Sequence, residues 1–243
     1  MANYAIPDLT APHLFDDMVD DLVQRSGDYL VMPSGYFGAY ERACGLMGFG
    51  GFMTTMALAP KVAHDLLDKI TEYKVAYAKK VVEMGFKVAH YGDDLGTQTG
   101  AFFSKEMFHE FILPRIKQAW QPFNDAGLPI ILHSCGNITN FIPDLIEIGL
   151  RVLEPCQTCM DLPYLKREFG KDLVFWGGIE TQKLPSMTPN EVRAMVRESI
   201  NTLGKDGRHI IGPSQEVMND VPLENVVALL ETIVQERQAV LEV

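Results

Sequence analysis

The amino-acid sequence predicts an α/β fold built on parallel strands, either a sheet or a barrel, and three observations carry that expectation. Six short apolar runs alternate with stretches of helical periodicity, each run ends in glycine and polar residues, and the connections are short. A repeated strand–helix unit writes this pattern into a sequence, and it brings the carboxyl ends of all the strands to one face.

Taken in order, the chain opens with a proline-containing lead-in and an amphipathic helix over 6–27, where Leu14, Phe15, Met18, Val19 and Leu22 recur at helical spacing. The first strand is expected at 29–32. It leads into the glycine-rich loop Pro33-Ser34-Gly35-Tyr36-Phe37-Gly38, which could approach a ligand closely but lacks the patterns of a nucleotide cradle. Residues 60–84 spell a long helix with Pro60 in its first turn and Gly85 after its end. A second strand at 87–91 runs into Gly92-Asp93-Asp94-Leu95-Gly96. The adjacent carboxylates read either as acid–base, metal or substrate groups, or as a turn with a helix-capping aspartate. Ser104 caps the next helix, which runs to Gly127, and Pro114 is expected to kink or divide it.

The third strand, 129–133, breaks abruptly into His133-Ser134-Cys135-Gly136. Side chains alternate along a strand, so His133 and Cys135 project to the same side, a nitrogen and a sulfur placed as zinc prefers its ligands. Alone, such a pair reads as a core histidine beside a buried thiol. A helix over 138–148 follows, then a fourth strand at 152–157 that carries Cys156, with Cys159 just past its end. If consecutive strands are parallel neighbours, Cys156 comes towards His133 and Cys135 on one rim. A helix over 162–169, a fifth strand over 173–180 ending in Gly-Gly and Glu180, a helix opened by the capping box Thr188-Pro189-Asn190-Glu191, a sixth strand over 209–216 and a last helix over 222–240 complete the chain. No linker or low-complexity segment divides this succession, so residues 1–243 are expected to form one domain. The collection of candidate chemical groups at strand ends favours a functional site over a satisfied core.

Composition narrows the partners. With a net charge of -11, the protein's own field repels phosphate backbones and anionic membranes, which leaves a small molecule or another protein. No apolar run approaches the roughly 20 residues of a membrane span, and the first residues carry no basic segment followed by an apolar core; a cytoplasmic protein is expected. Of 4 cysteines, Cys135, Cys156 and Cys159 fall in one short window, which favours metal or thiol chemistry over disulfide staples.

The turn at 92–96, His133-Ser134-Cys135-Gly136, Phe175-Trp176-Gly177-Gly178-Ile179-Glu180-Thr181-Gln182 and the closing Val221-Pro222-Leu223-Glu224-Asn225-Val226 together resemble the uroporphyrinogen decarboxylase superfamily, and especially its corrinoid-linked methyltransferase branch. The resemblance implies a TIM barrel of eight strands, of which this chain is expected to show six, without the first two units. Two open strand edges would then need a second copy or a partner chain to complete the barrel. In the methyltransferase branch, zinc held by a His-x-Cys pair and a further cysteine near the last strand activates an acceptor thiol, which takes a methyl group from a methylcorrinoid carried by a partner protein. Counting back from the closing motif puts that cysteine at about Gln215, so Cys156 or Cys159 would have to substitute, with Asp93, Asp94 or Glu216 completing the shell, or zinc is absent.

The resulting expectation is a methyltransferase with His133, Cys135 and Cys156 as metal ligands, Asp94 and Asp93 as catalytic groups, and Tyr36, Gln157, Glu180 and Gln215 lining the pocket for a small-molecule acceptor. The alternatives are a metal-free decarboxylase using Asp93 or Asp94, and a non-catalytic subunit that keeps the fold.

Overall fold

The computed structural model of the chain describes residues 27–241 together with Asp21 and Gln24. Most of the helix expected over 6–27 lies outside them. Among the described residues five strands, β1 (Ala89–Gly92), β2 (Ile130–His133), β3 (Leu150–Cys156), β4 (Val174–Ile179) and β5 (His209–Pro213), form one parallel sheet. Their order in the sheet is their order in the chain. A sheet wound always in one direction by right-handed crossovers carries its helices on one face, which is the arrangement of a barrel wall rather than of a doubly wound sheet.

The helices are α1 (Ala39–Met47), α2 (Phe49–Leu58), α3 (Pro60–Glu83), α4 (Lys105–Met107), α5 (Leu113–Asp125), α6 (Ile142–Glu147), α7 (Leu162–Phe169), α8 (Pro189–Leu203) and α9 (Leu223–Leu241). A π-helical turn, Phe108–Ile112, joins α4 to α5. This turn is the interruption expected near Pro114: proline offers no N–H to the carbonyl of Glu110, and the Arg115 guanidinium donates to that oxygen at 3.1 Å instead. The capping box forms as its sequence indicates, with the Glu191 carboxylate accepting from Thr188 N at 2.7 Å.

The sheet separates two environments. On the helix side Ala89, Tyr91, Ile130, Leu132, Leu150, Leu153 and Phe175 enter the main core with Trp120, Phe123, Phe141 and Leu67. On the other side lies a smaller apolar cluster of Val88, Ile131 and Val152, flanked by Met32, Val174 and Trp176. His133 follows Ile131 by two residues and shares its face. Strand alternation thus lifts the histidine out of the helix-packed core and aims it into the bowl of the sheet.

The expectation of six strands is corrected to five among the described residues, because 29–32 joins no ladder. The edge of β1 is covered by the glycine-rich loop. Gly92 N donates to Gly35 O at 3.1 Å and Gly38 N donates to Gly92 O at 2.5 Å. Gly35 N, where a strand would seek a carbonyl, donates to His90 Nδ1 at 3.1 Å. The loop can lie this close because a Cβ at Gly35 would run into the His90 carbonyl.

Candidate metal centre

The carboxyl ends of β1, β2 and β3 build the site. Beyond β1 the chain turns at Asp93-Asp94, and beyond β2 at Ser134-Cys135-Gly136. These turns are stitched together: Asp93 N donates to His133 O at 2.9 Å, Leu95 N to the buried Ser134 hydroxyl at 3.0 Å, and Cys135 N to Asp94 Oδ1 at 2.8 Å. Gly136 has φ +85°, and a Cβ there would overlap the backbone of Gly96, so only glycine lets the two turns meet. One donor atom each from Asp94, His133 and Cys135 lies within 4.8 Å of the others. His133 Nε2 is 3.8 Å from Cys135 Sγ and 3.7 Å from Asp94 Oδ1.

The other ring nitrogen of His133 is held by a residue the sequence reading did not single out. Glu154, paired with His133 across β2 and β3, brings Oε2 to 2.6 Å from His133 Nδ1. A carboxylate there anchors Nδ1 and turns Nε2 towards Cys135 and Asp94, the arrangement that commonly backs a metal-bound histidine. Burial alone would lower the pKa of His133, but its hydrogen bonds to Cys135 and Glu154, with their charges, outweigh this and raise it to about 10. The available signal was the one carboxylate inside β3. Glu154→Gln keeps the shape and removes the charge; zinc affinity is expected to fall about 10- to 100-fold, as measured by competition with a chromophoric chelator.

Two amides converge on the Cys135 sulfur. Gln215 Nε2 lies 3.5 Å away and Gln157 Nε2 lies 3.8 Å away, while Gln157 Oε1 accepts from Gly136 N at 2.7 Å. Tyr36 lies edge-on to the His133 ring with centroids 5.2 Å apart, and also against His90 at 4.7 Å. Tyr36, Gln157 and Gln215 therefore gather at the cluster. Glu180 does not: it pairs with Lys183 at 2.7 Å and lines a separate cavity of about 530 Å³ between the β3–α7 connection and α8.

Two further expected residues lie elsewhere. Cys156 turns into the helix-side core, where its thiol donates to Leu153 O at 3.6 Å and burial drives its pKa upward. The reason is a register shift between Leu153 and Cys156 where β3 pairs with β4, which defeats the simple alternation that would have aimed it at the rim. Asp93 is wholly buried. Its two oxygens accept from Tyr40 N at 3.2 Å and Glu41 N at 2.8 Å, so it caps the first turn of α1 from a distant part of the chain. Burial raises its pKa to about 8, against the lowering effect of those backbone donors. Asp94, its neighbour, is the carboxylate at the rim.

A parallel, singly wound α/β wall is TIM-barrel-like, and the candidate His/Cys/Asp cluster lies at the carboxyl ends of its strands, the functional face of that fold. The uroporphyrinogen decarboxylase (URO-D) family model matches residues 13–235, and the chain belongs to that family. Among curated proteins it is 28% identical over 170 residues to the methylated-thiol–coenzyme M methyltransferase of Methanosarcina mazei, an alignment covering 69% of this chain and 43% of that protein. It is 26% identical over 183 residues to the uroporphyrinogen decarboxylase of Carboxydothermus hydrogenoformans, covering 72% of this chain and 48% of that one. The methylcobamide:CoM methyltransferase MtaA of Methanosarcina barkeri is 23% identical over 207 residues, covering 85% of this chain and 59% of that protein. The chain thus spans less than half the length of the first two of these relatives. A solved methyltransferase from Methanosarcina mazei superposes with a TM-score of 0.71 at 19% identity, covering 90% of this chain and 64% of that one, which shows the shared fold. No helix among the described residues is long and apolar enough to cross a membrane.

Proposed function

We propose that this chain is a cytoplasmic methyltransferase of the corrinoid-linked kind, which passes a methyl group from a methylcorrinoid on a partner protein to a small thiol acceptor. The observation that carries this reading is the convergence of Asp94 Oδ1, His133 Nε2 and Cys135 Sγ at the strand ends. Three donors of mixed oxygen, nitrogen and sulfur type suit zinc and leave its fourth position open for a ligand. When bound, zinc would supply a positive centre that keeps an acceptor sulfur deprotonated at neutral pH.

The chain's own residues prepare that centre. Glu154 anchors His133 Nδ1 and so aims Nε2 at the centre, and Cys135 N steadies the Asp94 carboxylate. Gln157 pins the turn at Gly136 and, with Gln215, directs amide N–H groups at the Cys135 sulfur, which fixes its position beside His133. Tyr36 covers the flank of His133 and narrows the approach of water.

We read residues 1–243 as one barrel domain, with the gap between the loop-covered edge of β1 and the open edge of β5 filled by a second copy or by a partner chain. The test is elemental analysis of the purified chain together with methyl transfer from free methylcobalamin to small thiols. About one zinc per chain is expected from a single site of this type, with transfer that depends on it. A chain that retains no zinc when supplied with it, and transfers nothing, overturns this reading in favour of a metal-free decarboxylase or a non-catalytic subunit.

A further inference from the structure

We propose a second binding site, for a phosphorylated small molecule, in the cavity between α7, α8 and the loop entering β5. The cavity has a volume of about 760 Å³ and is lined by Lys166, Arg167, Lys171, Lys205 and Arg208, with Asp206 its single carboxylate. Lys171 precedes β4 and Arg208 immediately precedes β5, so the cavity sits at the amino ends of the strands. The metal cluster is at their carboxyl ends. The two sites are separate.

The charge balance is what makes this cavity unusual. The chain has 32 acidic against 21 basic residues, yet here five cations face one carboxylate. Among the described residues only Arg167 is ion-paired, to Glu168 at 2.8 Å. Lys166 Nζ donates to Gly207 O at 2.8 Å, and the Arg208 guanidinium donates to the Lys171 carbonyl, so backbone oxygens and not carboxylates hold these two cations in place. Lys171 and Lys205 have no side-chain partner among the described residues. Five cations beside one lining carboxylate and one paired glutamate leave an excess of positive charge that repels itself, and a polyanion would relieve that repulsion.

Helix dipoles explain only part of the cluster. Lys166 and Arg167 lie in the last turn of α7, where cations are favoured. The last turn of α8 has no basic residue, and Lys171, Lys205 and Arg208 lie outside both helices. The loop itself is costly. Asp206, Gly207 and Arg208 all have left-handed φ, at 65°, 81° and 59°, and two of these are not glycine. Such conformations are tolerated where function retains them.

The ligand class follows from shape and donors. A concave site of this volume fits a small molecule rather than the flat acidic surface of a protein. Lysines act as point charges and a guanidinium as a fork, and both suit the several oxygens of a phosphate chain. Asn201 and Thr202 line the same cavity and offer neutral polar groups to the rest of the ligand.

The test is calorimetric titration of the full chain with inorganic triphosphate at low ionic strength. Saturable binding is expected, weakened about tenfold or more by Lys171→Glu with Lys205→Glu, and screened by salt as surface charge interactions are. Both lysines are exposed, and circular dichroism checks that the double variant folds. Cys135→Ala should leave the binding unchanged, which separates this site from the rim. Absence of saturable binding, or binding indifferent to the two charge reversals, overturns the proposal. So does binding of polyglutamate in place of triphosphate, which would make this face a docking patch for an acidic protein.

Discussion

On the proposed zinc assignment, replacing Cys135 by alanine is expected to abolish most zinc binding and leave the fold intact. The substitution removes the only sulfur in the cluster and leaves Asp94 and His133, a pair too sparse for a stable tetrahedral site. Residues that merely orient ligands cost 10- to 100-fold in affinity, so loss of a ligand should cost about 100-fold or more. The side chain sits at the rim and outside the apolar clusters, so the stability change should stay near about 0.5 kcal/mol. Cys156→Ala is the complementary experiment. That thiol is buried among helix-side residues, so its loss should reduce stability by about 1 kcal/mol or more while zinc stoichiometry stays where it was. Elemental analysis and urea unfolding of both variants decide the matter. Zinc unchanged in Cys135→Ala, or lost in Cys156→Ala, would show that the ligand set is misassigned.

Asp93→Ala should destabilise the chain by about 3 kcal/mol, one of the larger effects a single substitution produces here. The carboxylate satisfies Tyr40 N and Glu41 N at the start of α1, and alanine would leave both donors without an acceptor, in and beside the core. Each such group costs about 1–3 kcal/mol. Asp93→Asn should cost less, because its amide oxygen can still accept from one of the two donors while its NH₂ faces the other. Urea midpoints should therefore rank wild type above Asn above Ala. Equal stability of Asp93→Ala and wild type would mean that α1 is capped in another way. The consequence for chemistry is indirect but strong. Asp93 and Asp94 are sequence neighbours with opposite duties, one building the wall and the other facing the bowl.

The sequence contains much of this arrangement in local form. The 3.6-residue period of 60–84 becomes α3, Thr188 and Glu191 form their reciprocal cap, and the apolar run before His133 becomes β2. These features depend on contacts within a few residues, so the local pattern suffices. The strand at 29–32 failed for the same reason that the others succeeded. Its apolar pattern is strand-like, but the neighbouring glycines let 35–38 reach the edge of β1 through the His90 ring, and no ladder forms at 29–32.

Choosing among the candidate site residues required the third dimension. By itself, the sequence determined the parallel α/β class, the family motifs, and the expectation that His133 and Cys135 share one side, which the turn just past the end of β2 fulfils. Only the tertiary structure decided that Asp94 rather than Asp93 meets that pair, that Glu154 rather than Cys156 serves His133, and that Gln215 reaches the Cys135 sulfur from 80 residues away. Those outcomes hang on inter-strand register and on which way a tight turn rolls. A one-residue slip in either exchanges the faces of the sheet, and the partners that set the register lie too far along the chain for any local pattern to name them.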